Sequence, residues 1–413
     1  MRKTLALLCV FSVIVIGGVA FADDPDGDLQ LARDKVAQIA SLAGEVDALL
    51  AQEQAKPPFV TTVTETVTTT VTETVTTPPT TPPPTTPPPT TPPPTGCTGI
   101  GVPPGSGLRS AIQSAPAGST FCLSAGTYTV NATIDLDSDR VIGAGMNATH
   151  IDGSGVPLDD TNRGHIFDNK GSSYFQDVDV FGASAPAPGT ATGAKYGKAF
   201  INSGSSLQFQ NVKCHDNEGV CVGEAGNVVA DNLDCYNNGS AYSMTSGFAY
   251  AACIKTAASY NSAFGDVTMT NSFIHDQPGN GLWCDYCKYA DWDIRSTVFR
   301  ANGNHAIQWE MSGNWTCCQA GAVVSGNTFI GNGTNLAKFA PGGMIISTSA
   351  NITVEGNTFD GTNTNAITII YSNGRIDAQN FPASRNVIVR NNTLNGDPLV
   401  GCSLSGVTCT GNA

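Results

Sequence analysis

From about residue 198 to residue 397, short apolar runs alternate with corners of Gly and Asn. The same phrases return roughly every 30 to 35 residues: Asn327-Thr328-Phe329, Asn357-Thr358-Phe359, Asn392-Thr393-Leu394. Such a period is the mark of a solenoid. Each phrase closes a run rich in β-branched residues, as in Ala322-Val323-Val324-Ser325, Ile352-Thr353-Val354-Glu355 and Val387-Ile388-Val389-Arg390, and these runs read as strands. A second strand opens each repeat: Gly281-Leu282-Trp283-Cys284-Asp285, Ala306-Ile307-Gln308-Trp309-Glu310, Gly343-Met344-Ile345-Ile346-Ser347 and Ala366-Ile367-Thr368-Ile369-Ile370. Side chains alternate faces along a strand, so Leu282, Ile307, Met344 and Ile367 are expected to share the buried face. Short strands without a helical period predict an all-β parallel β-helix rather than a leucine-rich horseshoe. Repeat spacings vary between about 21 and 38 residues, so the coil carries insertions, which in such architectures usually build a binding face.

The N-terminal part follows other patterns. Residues 1–22 combine Met1-Arg2-Lys3, the apolar run Leu5 to Val19 and Ala20-Phe21-Ala22 before Asp23, which reads as a secretory signal. No later apolar run reaches membrane-spanning length, so the expectation is an exported protein without a membrane span. Residues 23–56 carry a heptad: Leu29, Val36, Ala43 and Leu50 lie seven apart, with Ala32, Ile39 and Val46 between them. The pattern leaves two readings open, a short coiled coil that joins copies of the chain through residues 28–54 and a plain amphipathic helix. Residues 57–96 hold Val-Thr-Glu-Thr-Val twice and then Thr-Pro-Pro-Pro-Thr units, a composition that buries no core and stands out as an extended spacer. The folded domain is expected over residues 97–413.

Charge narrows the partners. A net charge of −14 with no Lys/Arg stripe excludes nucleic acid, and an anionic substrate would need local cations against the global field. Of 13 cysteines, one (Cys9) lies in the signal. The others form an even set in a compartment where thiols oxidise, so disulfides are expected. Coil stacking suggests Cys214 with Cys235; Cys97 with Cys122 and Cys402 with Cys409 are two further expected pairs. Cys284, Cys287, Cys317 and Cys318 resemble a zinc quartet in spacing, a reading that export and the even count outweigh.

These residues together resemble exported right-handed parallel β-helix proteins, the pectate-lyase-like superfamily, closest in kind to its chondroitinase-B-like and alginate-epimerase-like members. The carriers are Ser124-Ala125-Gly126-Thr127-Tyr128, Gly143-Ala144-Gly145 before Ile151-Asp152-Gly153, the Asn-Thr-Phe repeats, and Ile254-Lys255, Gly281-Leu282-Trp283-Cys284-Asp285 and Ile307-Gln308-Trp309-Glu310. The Asn-Thr-Asp, Gly-His-Gly and Arg-Ile-Lys set of polygalacturonases and the Trp-Ile-Asp-His of typical pectate lyases are missing, which disfavours both. The resemblance implies a polysaccharide or cell-surface glycan as partner, a lysine base, and Ca²⁺ held by carboxylates as an acid sink.

Registering the strands by their buried residues sets Ile254 beside Cys284, Trp309 and Ile346, and so places Lys255, Asp285, Glu310 and Ser347 in one outward column. Trp283 and Gln308 form the neighbouring column, with Trp283 offered to a sugar ring. Two mechanisms compete. In a lyase or epimerase Lys255 takes the proton next to a uronate carboxylate, with Asp285 and Glu310 holding Ca²⁺; in a retaining hydrolase Asp285 and Glu310 are acid and nucleophile. His305 is a candidate proton donor and Arg300 a candidate carboxylate ligand. His215 and His275 are expected to bond turn backbone, Arg295 to balance Asp293, and the Asn327, Asn357, Asn392 ladder to be structural. A non-enzymatic adhesin on its stalk is the rival class, and a plain charge ladder that keeps the sheet soluble is the bland alternative for the column.

Overall fold

The structure, a computed structural model, describes residues 94, 96–157, 164–184, 197–223, 226–239, 252–257, 265–285, 290–310, 321–334, 341–370 and 384–413. The expected signal, heptad and nearly all of the spacer lie outside them, as do Cys287, Cys317 and Cys318. The chain is a right-handed parallel β-helix. Among the described residues a larger sheet of 18 strands and a smaller one of ten stack coil upon coil, with parallel pairing such as Leu282 to Ile307 to Met344 to Ile367. That register is the one the alternating pattern predicts, because a slip by one residue would turn every core side chain outward.

One residue per coil bends the larger sheet into two arms. Asp177, Asn211, Asn232, Asn271, Ser296, Gly326, Gly356, Asn391 and Gly411 stack in register with φ between 48° and 63°. Asn and Gly dominate the column because the left-handed region costs them least. The residue that follows turns inward. Asn327 there accepts from the Thr297 N–H (2.9 Å) and donates to Ile294 O (2.9 Å) and to Asn357 Oδ1 (3.0 Å). Asn357 repeats the pattern on Asn392, so the ladder is structural as expected.

The core runs the length of the coil. Phe299, Phe329 and Phe359 stack with ring centroids 5.1 and 4.5 Å apart, Phe167 stacks on Phe200 at 5.2 Å, and Trp292 meets Trp309 edge-on at 4.9 Å. The helix Leu108–Ser114 buries Leu108 and Ile112 against the strand Ile134–Leu136. No helix among the described residues is long and apolar enough to cross a membrane.

Disulfides follow the coil differently from the expected pattern. Cys97–Cys122 and Cys402–Cys409 form. Cys214 and Cys235 do stack as strand partners, yet they bond Cys221 and Cys253 respectively. Stacked side chains run side by side about 4.8 Å apart, wider than the usual Cβ separation of a disulfide. The next corner instead brings Cys221 to Cys214 with Cα atoms 6.1 Å apart. Cys284 lies wholly buried in the core and is itself disulfide-bonded, so it offers no thiolate to zinc.

Candidate functional site

The outward face of the smaller sheet carries the charged residues that the sequence singles out. Ile254 pairs with Leu282, so Lys255 stands beside Trp283, followed by Gln308 and Ile345. Asp285, Glu310 and Ser347 form the adjacent column. The expected Lys255–Asp285 pairing is therefore off by two residues. A two-residue slip keeps every apolar residue on its face, so the hydrophobic pattern alone does not detect it. The lysine nonetheless reaches the carboxylate diagonally: Nζ lies 3.0 Å from Asp285 Oδ2 and 3.2 Å from the centroid of the Trp283 ring. Trp283 is only 9% exposed, and its ring faces this ammonium rather than offering a bare platform to a sugar.

Burial governs the lysine. Lys255 is 5% exposed, and loss of hydration holds its ammonium below the ordinary lysine range, against the opposing pull of Asp285 and Glu310; Lys198 adds to the lowering. A buried amine with a lowered pKa gives up its proton more readily than an exposed lysine, and its neutral form can accept a proton.

A second chain of hydrogen bonds leads away from Glu310. Gln308 Nε2 donates to Glu310 Oε2 (2.7 Å), Asn280 Nδ2 donates to Gln308 Oε1 (2.9 Å), and Asn280 Oδ1 faces His305 Nδ1 at 3.2 Å. An amide oxygen only accepts, so His305 Nδ1 carries a proton and donates it to Asn280. His305 and Asn280 are both buried at the start of their strands. His305 thus joins the group through Asn280 and Gln308.

Arg300 does not join it. It stands on the larger sheet, 3.3 Å from Asp276 and over the Phe273 ring at 4.7 Å. Arg295 pairs with Asp293 at 2.6 Å, as expected. The two corner histidines bond carboxylates rather than turn backbone. His215 sits between Asp179 (2.9 Å) and Asp216 (2.7 Å), and His275 between Asp234 (3.1 Å) and Asp276 (2.6 Å). Tyr236 stacks between their rings at 4.6 and 4.9 Å.

For Ca²⁺ the donor set falls short. The ion takes six to eight oxygens, and the described residues bring two carboxylates from adjacent coils, one of which already faces an ammonium at 3.0 Å. No step below is routed through a metal. Sequence reasoning passed over Lys198, Gly223 and Asn280. Gly223 carried a signal, since a glycine inside a strand marks a close approach.

No family model matches this chain, nor does any curated protein. Solved structures do. An alginate lyase from Paenibacillus is 15% identical, with 75% of this chain and 98% of that one covered at a TM-score of 0.47. The catalytic unit of an α-1,3-glucanase from Streptomyces thermodiastaticus is 13% identical over 79% and 70%, TM-score 0.46. A surface adhesin of Streptococcus pneumoniae is 12% identical over 74% and 85%, also at 0.46.

Proposed function

We propose that this is an exported enzyme that cleaves or epimerises a uronate-containing polysaccharide, with Lys255 as the base. The observation that carries this reading is the buried Lys255 amine, 3.0 Å from Asp285, on the outward face beside Glu310. The neutral amine removes the C5 proton of a uronate. Asp285 then holds the resulting ammonium. The electron pair forms the C4–C5 double bond as the C4–O bond breaks, and the leaving oxygen takes the Nε2 proton of His305 in its imidazolium form, which is left neutral with its remaining proton on Nδ1 facing Asn280. Return of a proton to the opposite face of C5 instead gives the epimer. The chain from His305 through Asn280 and Gln308 to Glu310 sets the tautomer and orientation of the imidazole.

One observation favours a second reading. Asp285 and Glu310 are strand partners, and carboxylates on adjacent coils have the separation of a retaining hydrolase. The full-length protein, assayed with and without chelator on uronate-containing and neutral polysaccharides, separates the readings. Ultraviolet absorbance of an unsaturated product together with new reducing ends, lost in Lys255→Ala, supports elimination. Exchange of the C5 hydrogen with solvent, lost in the same variant, supports epimerisation. Reducing ends alone assign hydrolysis, and silence in all three overturns the enzymatic reading in favour of an adhesin.

A further inference from the structure

The outward column of the smaller sheet continues past the charged residues. Strand pairing carries it from Trp283 through Gln308, Ile345 and Thr368 to Val400. Near Trp283 the polar groups of this face satisfy one another: Lys255 meets Asp285, and Asn280, Gln308 and Glu310 form a chain. Thr368 differs. It is 5% exposed, and its Oγ1 is buried without a hydrogen-bond partner. Its neighbours Ile367 and Ile369 on the strand Ile367–Ile370 belong to the core, so the alternation turns Thr368 outward. Trp309 Nε1 is likewise unpaired, but that ring lies inside the core.

A buried hydroxyl left unpaired costs free energy, and folded proteins rarely keep one. The surroundings of Thr368 do not relieve it. Its strand partners are Ile345 and Val400, and Ile370 stands two places along on the same face. A trapped water needs two to four polar partners, and these side chains offer none. Valine has nearly the same shape and would fill the position without the orphaned oxygen. The hydroxyl is therefore a local sacrifice of stability on the face that carries the candidate chemistry, which is where such sacrifices belong to function.

We propose that Thr368 Oγ1 is the polar contact of a neutral subsite, where it hydrogen-bonds a hydroxyl of a sugar farther along the polymer than the one that reacts, with Ile345 and the exposed Val400 against the apolar side of the same ring. Thr368 lies three coils beyond Trp283, on whose ring the Lys255 ammonium sits, or roughly 14 Å along the solenoid axis. The proposal rests on the reading of this face as a polysaccharide site. It adds that the polymer runs along the axis toward the later coils, and that recognition there is by hydroxyl and ring rather than by charge, since the column from Gln308 to Val400 holds no charged residue. Thr368 is a positioning residue.

The test compares the full-length wild type with Thr368→Val and Thr368→Ser. Thermal unfolding without ligand comes first. Thr368→Val removes an unpaired oxygen and keeps the shape, so its Tm is expected to equal or exceed that of the wild type; a fall in Tm would show the hydroxyl already paired and overturn the subsite. Binding calorimetry and turnover follow, with pectate, alginate and their carboxyl-reduced forms, each as a disaccharide too short to span the distance and as a decasaccharide. The wild type is expected to hold a decasaccharide more tightly than its disaccharide. Thr368→Val should weaken the decasaccharide by about threefold to tenfold, the worth of one neutral hydrogen bond, and leave the disaccharide unchanged, while Thr368→Ser should recover the loss. In turnover the same factor should appear in KM for the decasaccharide with kcat unchanged, because the contact is equal in ground and transition states. A merely structural threonine would lower Tm and affect both lengths alike.

No preference for the longer probe, or an equal grip on it in wild type and Thr368→Val, overturns the subsite. A loss confined to the acidic decasaccharide and absent from the reduced one overturns its neutral character. The failure of the Lys255 chemistry looks different. A decasaccharide held through Thr368 but left chemically unchanged keeps the subsite and sinks the base, whereas Lys255-dependent elimination with an unshifted KM in Thr368→Val keeps the base and sinks the subsite.

Discussion

Lys255 is held by opposing effects, of which burial is the largest, and that makes its titration informative. Burial favours the neutral amine, while the Asp285 carboxylate at 3.0 Å favours the ammonium. If turnover needs the neutral amine, the rate rises as pH climbs through a pKa below 10.5 and then levels. Asp285→Asn removes the charge that favours the ammonium, so the pKa falls further and the acid limb of kcat/KM should move to lower pH. A limb that stays in place or moves up would remove Lys255 from the base role. Lys255→Ala should cost roughly a hundredfold to ten-thousandfold in elimination rate, as expected for loss of a general base. The identity of these residues was legible in the sequence, because three charged groups on outward positions of neighbouring repeats stand out when charge is 13% of the chain. Their partnership was not. Face is encoded by a period of two, but register between coils is set by corner lengths, which vary from repeat to repeat. Asn280 and Lys198 lie at strand entries, where no alternation marks them.

Among the elements, the bend of the larger sheet and the ladder beside it explain why Asn and Gly recur so regularly. The Asn357 side chain makes four hydrogen bonds: it donates to Val324 O and Asn392 Oδ1 and accepts from Asn327 N–H and Nδ2. Asn357→Ala strands a buried carbonyl and a buried N–H, at a cost of roughly 2 to 4 kcal/mol. Thermal unfolding should show it as a fall of about 2 to 4 °C in Tm for each kcal/mol; an unchanged Tm would mean that water or the neighbouring asparagines fill in. The histidine stripe makes an opposite kind of contribution. Burial of His215 disfavours the imidazolium, but hydrogen bonds and charges from Asp179 and Asp216 outweigh it, and the net pKa is raised above 6.5. A raised folded pKa means stability that is fully present below the unfolded value and lost as pH rises through the folded one. The Tm difference between the wild type and His215→Gln should therefore be largest in mild acid and shrink toward alkaline pH. A difference that grows with pH would contradict the clamp. The sequence displayed His215-Asp216 and His275-Asp276 as a recurring pair, but Asp179 and Asp234, which reach them from the preceding coil, are distant in sequence and became visible only through the stacking.

For the whole molecule, the repeat period announced a solenoid and the face pattern announced its core, and the two terminal disulfides formed as expected, while the bonds of Cys214 and Cys235 followed a geometry that the stacking argument missed. Cys214–Cys221, Cys235–Cys253 and Cys402–Cys409 each tie a coil to itself across a corner, with sequence separations of 7, 18 and 7 residues. Cys97–Cys122 spans the pairing of the first two strands, Ile100–Val102 and Thr120–Leu123. Under a pulling force applied at the two ends, those three bonds do not rivet one turn to the next. Away from the Cys97–Cys122 link and the bond that Cys284 makes, tension between the described turns would be borne by the backbone ladders and the side-chain stacks, and that part of the molecule should lengthen in a staircase, one turn per step. Each looped segment stays closed as the turn around it pays out, so adding reductant should lengthen the corresponding steps by about 3.3 to 3.6 Å for every residue released. A single tall rupture in place of the staircase, measured with an optical trap on the full chain, would show that the turns are bound together by something stronger than their strand edges.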